Sequence, residues 1–156
     1  MKTGSKFLMI FFLSQANTSN AQMKDYKVYQ DTIFNICLIE SDSISVSKSI
    51  HQIYTLDTAS FTTNKHLLYR DLGFLYYKLY ALKQDSQFLK TAIYHHEKAI
   101  QYLPDFTLAL EDLMVFQFFN KDYKASMQYY QTLKSISRPR KDTRQLYRIA
   151  KKKSHA

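Results

Sequence analysis

The sequence predicts an all-α chain built as a short array of antiparallel helix pairs. Three observations carry this. Glycine and proline number two each in 156 residues, and tight turns and β-hairpins depend on both. Hydrophobic residues make up 46% and aromatic residues 15%, the latter as 13 Tyr and 11 Phe, enough to pack one domain and unlike a disordered chain. Pro104 and Pro139 stand 35 residues apart, close to the period of about 34 seen in paired-helix repeats.

The chain opens with a segment that reads as a leader. Lys2 and Lys6 give a basic start, Phe7 to Leu13 is an unbroken apolar run, and Ser19-Asn20-Ala21 offers small side chains before Gln22. That order is the order of a secretory signal peptide, with cleavage expected after Ala21. Seven apolar residues are too few to span a bilayer, which takes about 20. A transit peptide would be rich in Arg, and a lipoprotein anchor would need a Cys at the cleavage point. A buried strand or an N-terminal amphipathic helix is the remaining alternative.

The first helix pair is the most eroded. Ile33, Ile36 and Cys37 are expected on its first helix, Ser41-Asp42-Ser43 in the turn, and Ser49, Ile53 and Leu56 on its second helix. In the central pair, Tyr69, Leu72, Gly73 and Tyr76 read aromatic-x2-Leu-Gly-x2-Tyr. Gly73 is a mid-helix glycine, costing about 1 kcal/mol against Ala, which predicts that another backbone approaches it closely. The first helix should run to about Leu82, with Lys83-Gln84-Asp85-Ser86 as the turn. Ala92, His96, Ala99 and Pro104 then mark the second helix and its stop. In the third pair, Leu110, Leu113, Met114 and Gln117 repeat the first-helix positions with Met in the small-residue place. Asn120-Lys121-Asp122-Tyr123 supplies the turn, and Ser126, Tyr130 and Leu133 the second helix. Residues 141–152 form a last, polar helix of the kind that closes a repeat array.

Taken together, these positions resemble the tetratricopeptide repeat (TPR) family. The resemblance covers about 110 residues. It is good in the central unit, moderate in the third, and slight in the first. One departure stands out: the segment between Tyr76 and Ala92 is about seven residues longer than the family's. The resemblance implies a short right-handed solenoid of about three units plus a C-terminal capping helix. The domains are then residues 1–21 as signal peptide, 22–140 as the helical repeat, and 141–156 as a basic capping helix and tail. The alternative architecture is a generic antiparallel helical bundle.

Nothing in the sequence calls for catalysis, and the chain is expected not to be an enzyme and to carry no cofactor or metal. His95-His96-Glu97 is the only tight histidine cluster, and adjacent helical residues point about 100° apart, so they do not converge on one ion. His96 falls in the large-residue place between Ala92 and Ala99, which suits a packed ring. No Gly-x-Ser-x-Gly elbow and no Gly-rich phosphate loop occurs. Cys37, the single cysteine, fits a small buried site. Glu111 and Asp112 read as acids opening a helix after Pro104, where the helix dipole favours negative charge.

The family resemblance further implies that first helices line a groove for a peptide. Its expected lining is Phe34 and Leu38, then Arg70, Phe74 and Tyr77, then Glu111, Val115 and Phe118. A Lys/Arg/Asn clamp for a partner's carboxylate would be incomplete, with only Arg70, Lys78 and Asn35 at hand. The aromatic residues suit an amphipathic helix or an apolar peptide, or else they pack on a neighbouring helix of the same chain.

Charge adds a second feature. The formal +9 is not spread evenly: residues 22–137 hold 12 basic and 12 acidic residues, whereas residues 138–153 hold eight basic residues against Asp142 alone. Arg140, Arg144, Arg148 and Lys152 recur every four residues and form one cationic face. That face is either a solvated cap or a docking place for an anionic membrane surface or an acidic partner. Nucleic acid is disfavoured, because only Tyr147 interleaves with the charge. The expected function is an exported, periplasmic or secreted adaptor that binds a protein or peptide. The alternative is a cytosolic binder of polyanions or anionic membranes acting through the tail.

Overall fold

The computed structural model describes residues 42–55 and 64–155. Within them lie six helices and no strand: α1 Ser43–Thr55, α2 Lys65–Lys83, α3 Ser86–Tyr102, α4 Thr107–Phe119, α5 Tyr123–Ile136 and α6 Lys141–Lys153. The leader, Phe34, Asn35, Leu38, Cys37 and the rest of the expected opening helix lie outside the described residues, as does Leu56.

Helix boundaries follow local chemistry. Asp42 accepts from the amides of Ile44 (2.8 Å) and Ser45 (3.0 Å) at the start of α1. Asp85 accepts from Gln87 N (2.9 Å) and Asp122 from Ala125 N (2.9 Å), so each caps the helix that follows it. The residues before these two caps, Gln84 (φ 57°) and Lys121 (φ 64°), are left-handed. The two turns therefore share one chemistry: a left-handed residue, then a capping Asp, then a helix. Helix α3 stops at Tyr102, before Pro104, and α5 at Ile136, before Pro139.

Helices pack in pairs and chiefly on their neighbours in sequence. Helix α2 lies most heavily on α3 and α4 on α5, while α1 rests on α2, α3 on α4, and α5 on α6. Val46, Ile50 and Ile53 of α1 meet Leu68, Leu72, Leu75 and Leu79 of α2. Leu89, Ala92 and Ile93 of α3 meet Leu113 and Phe116 of α4. Ala99, Phe106 and Ala109 close the turn between α3 and α4. All of these side chains are buried.

Small residues set the distance within each pair. A Cβ built on Gly73 would lie 2.9 Å from Ala92 O and 2.6 Å from His96 Cε1, and closer still to His96 Nδ1. Both backbone and ring of α3 thus occupy the space a side chain would need. In the next pair Met114 stands in the glycine's place. There Ser126 Oγ donates to Met114 O at 2.8 Å, both residues being fully buried. A helix-to-helix hydrogen bond replaces the bare backbone approach.

A ladder of rings, not anticipated from the sequence, also joins α2 and α3. Tyr102 stacks on Tyr69 (5.4 Å), Tyr69 on His95 (6.0 Å), His95 on Tyr76 (5.3 Å) and Tyr76 on Phe88 (6.5 Å). Lys65 Nζ lies over the Tyr102 ring at 5.6 Å and Lys83 Nζ over Phe88 at 5.5 Å. The rungs alternate between helices and recur every seventh residue on each, which keeps them on one seam.

Candidate functional site

Helix α4 touches α2 through Phe116 and Asp112 and α6 through Glu111, and these contacts hold the chemistry. Their centre is buried polar. Fully buried His96 of α3 places Nδ1 at 3.1 Å from Ala92 O and Nε2 at 3.1 Å from Asp112 Oδ2. Arg70 of α2 approaches the same Asp112 oxygen with Nε (3.5 Å) and Asp71 Oδ1 with Nη1 (3.4 Å). Burial alone would raise the Asp112 pKa. The hydrogen bond and charge of His96, with the Arg70 guanidinium, outweigh it and hold the carboxyl below its ordinary value. The Phe116 ring lies edge-on to His96 at 4.8 Å.

Aromatic residues lie beside this centre. Tyr77 of α2 stacks on Phe116 of α4 with centroids 4.4 Å apart, and tilts against Phe119 at 6.2 Å. Burial, then Tyr80 and Asp112, raise the Tyr77 hydroxyl's pKa. Phe74, Tyr77, Val115 and Phe118 are each half-buried, and Phe119 is 47% exposed. Of the expected groove residues, the structure therefore brings Arg70, Tyr77 and α4 together, with apolar surface still open to solvent. Tyr77 serves both readings at once, packing on α4 while keeping part of its surface open.

Two expected residues are engaged elsewhere. Glu111 turns toward α6, where it meets Arg140 Nη2 at 2.7 Å and Nε at 3.2 Å and accepts from Thr143 Oγ1 at 3.3 Å. The groove acid and the first residue of the cationic face thus form one intrachain ion pair. Helix α4 begins at Thr107, so Glu111 and Asp112 lie beyond its first turn and do not act on the helix dipole as expected; both are tied into ion pairs instead. Arg70, buried between two carboxylates, is likewise not disposed as a clamp for a partner's carboxylate.

The three residues of the His95-His96-Glu97 cluster diverge as helical geometry requires. His95 enters the ring ladder, His96 faces Asp112, and Glu97 accepts from Tyr129 Oη at 3.0 Å. His95 is buried, its Nε2 lies 3.2 Å from Tyr54 Oη, and its Nδ1 has no hydrogen-bond partner among the described residues. Burial, with the neighbouring His96, pushes its pKa down to about 4.

No group of three metal-ligating side chains is assembled among the described residues. Among the same residues, no helix is long and apolar enough to cross a membrane. A depression of about 520 Å³ lies apart from the α2–α4 contacts, between Ser43, Ile44, Ser47 and His51 of α1 and Lys83 of α2.

Sequence reasoning missed Asp112 as a partner of His96 and Arg70, because nothing in local spacing relates a residue to one 16 or 42 positions away. It also passed over Phe119. The ring ladder did carry a signal: Tyr69, Tyr76 and Lys83, then Phe88, His95 and Tyr102, recur at sevens.

A scan of protein-family models finds none that matches this chain, and a search of curated proteins finds no match to it either.

Proposed function

We propose that the chain is a TPR-like helical-repeat adaptor, exported from the cytoplasm, that binds a protein or peptide across the face of α2 and α4. The observation that carries the reading is the pairing of Tyr77 on α2 with Phe116 and the 47% exposed Phe119 on α4, beside the His96–Asp112–Arg70 contacts, with half-buried Phe74 on α2 and Val115 and Phe118 on α4. A surface with its apolar side chains already fixed in place loses little side-chain entropy on binding. Its chemistry suits an amphipathic helix or an extended apolar segment better than an acidic peptide, since Arg70 is already paired within the fold. The Gly73–Ala92 approach and the shared Asp-capped turns support the repeat reading. The export reading rests on the order of residues 1–21.

The test is site-specific photo-crosslinking in the native host, with benzoylphenylalanine placed at Phe74, Val115 or Phe119. Lys90, exposed on α3, serves as the control. A discrete adduct shared by the three positions and missing at Lys90 is the expected result. Adducts at none of them, or equally at Lys90, would overturn the proposed face. Intact mass of the exported fraction tests the leader separately, a chain starting at Gln22 being expected.

A further inference from the structure

The cationic face of α6 is a second surface, separate from the α2–α4 face. Its inner side is anchored. Tyr147 stacks on Tyr130 of α5 at 4.2 Å and accepts from Gln131 Nε2 at 3.0 Å, while Thr143 and Ala150 are buried. The Glu111–Arg140 pair ties the start of the helix to α4. The outer side is consequently held in a fixed orientation. Of the four residues expected on this face, Arg140 pairs with Glu111 and half-buried Arg144 donates to Pro139 O at 2.6 Å, which leaves Arg148 and Lys152. At about 100° per residue, Lys141 joins these two within about 40°, nearly opposite Ala150. All three are exposed, as is Lys151 beside them.

From this we propose that the outer face of α6 docks on a bilayer bearing anionic lipid headgroups. Charge supplies the attraction: beyond Lys2 and Lys6, the excess of positive charge lies in residues 138–153, against a neutral stretch over residues 22–137. A straight row of cations on an anchored helix is suited to a plane of headgroups. Ile149, 38% exposed, stands beside Lys152 on the same outer side. An apolar side chain among cations gains at the boundary of headgroup and acyl chain, and gains nothing on a phosphate backbone. The one aromatic residue of α6, Tyr147, is turned inward onto Tyr130 and offers no platform for stacking bases. The inference stands whether or not the α2–α4 face binds a peptide.

The test is co-sedimentation of the full chain with vesicles of phosphatidylcholine, alone and with added phosphatidylglycerol. Any binding by the apolar run Phe7 to Leu13 is read on the neutral vesicles. The variant Lys141→Gln/Arg148→Gln/Lys152→Gln leaves the inner contacts of α6 intact. It is compared with Lys90→Gln/Lys124→Gln/Lys134→Gln, which removes equal charge from the body. The expected result is a salt-sensitive preference for the anionic vesicles, weakened roughly 100-fold in the α6 variant, at about fivefold per charge, and little changed in the control. Equal loss in both variants overturns the proposal, as does tighter binding to polyglutamate or duplex DNA than to the vesicles. A second reading avoids the triple variant: Ile149→Trp adds the only tryptophan of the chain. A blue shift of its emission on anionic vesicles, not seen for Tyr94→Trp, supports docking; an unshifted emission from the Ile149→Trp variant overturns it.

Discussion

At the scale of single residues, Gly73 and His95 make opposite kinds of demand. Changing Gly73 to Ala gains about 1 kcal/mol of helix propensity. Against that stands a Cβ forced into Ala92 O and the fully buried His96 ring, which is held at both nitrogens and has nowhere to move. Overpacking of this kind costs about 1–3 kcal/mol, and the loss of the His96 contacts adds to it. Gly73→Ala is therefore expected to lower stability by about 2 kcal/mol in urea unfolding. His95 introduces a dependence on pH. An unfolded chain protonates it near 6.5, whereas the folded ring resists until about 4. Acidification through that window thus favours the unfolded state, and below it both states carry the proton and the difference stays constant. His95→Phe keeps a ring in the ladder and removes the titration. Stability should then fall less between pH 6.5 and 4, by on the order of 2 kcal/mol after allowance for solvent screening. A residual slope is expected from His66, whose pKa is also lowered by burial. The Gly73 contact was legible because a mid-helix glycine is conspicuous. The His96–Asp112–Arg70 contacts were not, because Asp112 looks like any surface acid until α2 and α3 are brought beside it.

At the scale of elements, helix limits were the most legible part of the fold, since they are set by residues within a few positions. Asp85, Asp122, Pro104 and Pro139 mark them almost to the residue. The one local misfit is backbone conformation: Gln84 and Lys121 hold positive φ with a Cβ present. Such residues carry a strain of about 1–2 kcal/mol that glycine lacks, partly offset by glycine's greater freedom when unfolded. Lys121 is exposed and its side chain makes no hydrogen bond among the described residues. Lys121→Gly is expected to stabilise the protein by up to about 1 kcal/mol, read as a higher urea midpoint with unchanged slope. An unchanged or lower midpoint would mean that the left-handed turn is not strained.

At the scale of the whole molecule, contacts run mainly between consecutive helices, so stability is passed along the array and not gathered in one centre. Helix α6 closes one end, and its hold depends on Tyr147. Tyr147→Ala is expected to cost about 2 kcal/mol, from the lost stack and half-buried ring area. Amide exchange should quicken in α6 and α5 well before α2 and α3, because the latter pair is joined most heavily. The all-α class and the pairing of helices were legible from composition and small-residue spacing. Which charges would meet across α2, α4 and α6 was not, since that depends on how one pair is laid against the next.

The ring ladder has a mechanical corollary. Its rungs lie seven residues apart on both helices, so sliding α3 along α2 by one residue would unstack every ring together. Restacking would be reached only after a full heptad, about 10 Å away, and Gly73 would by then have left the ring of His96. Shear within this pair is blocked, much as a toothed rack blocks its pinion between teeth. Any change in the width of the α2–α4 face must come from one pair tilting against the next, with the Tyr77–Phe116 stack and the Arg70–Asp112 contact as its pivot.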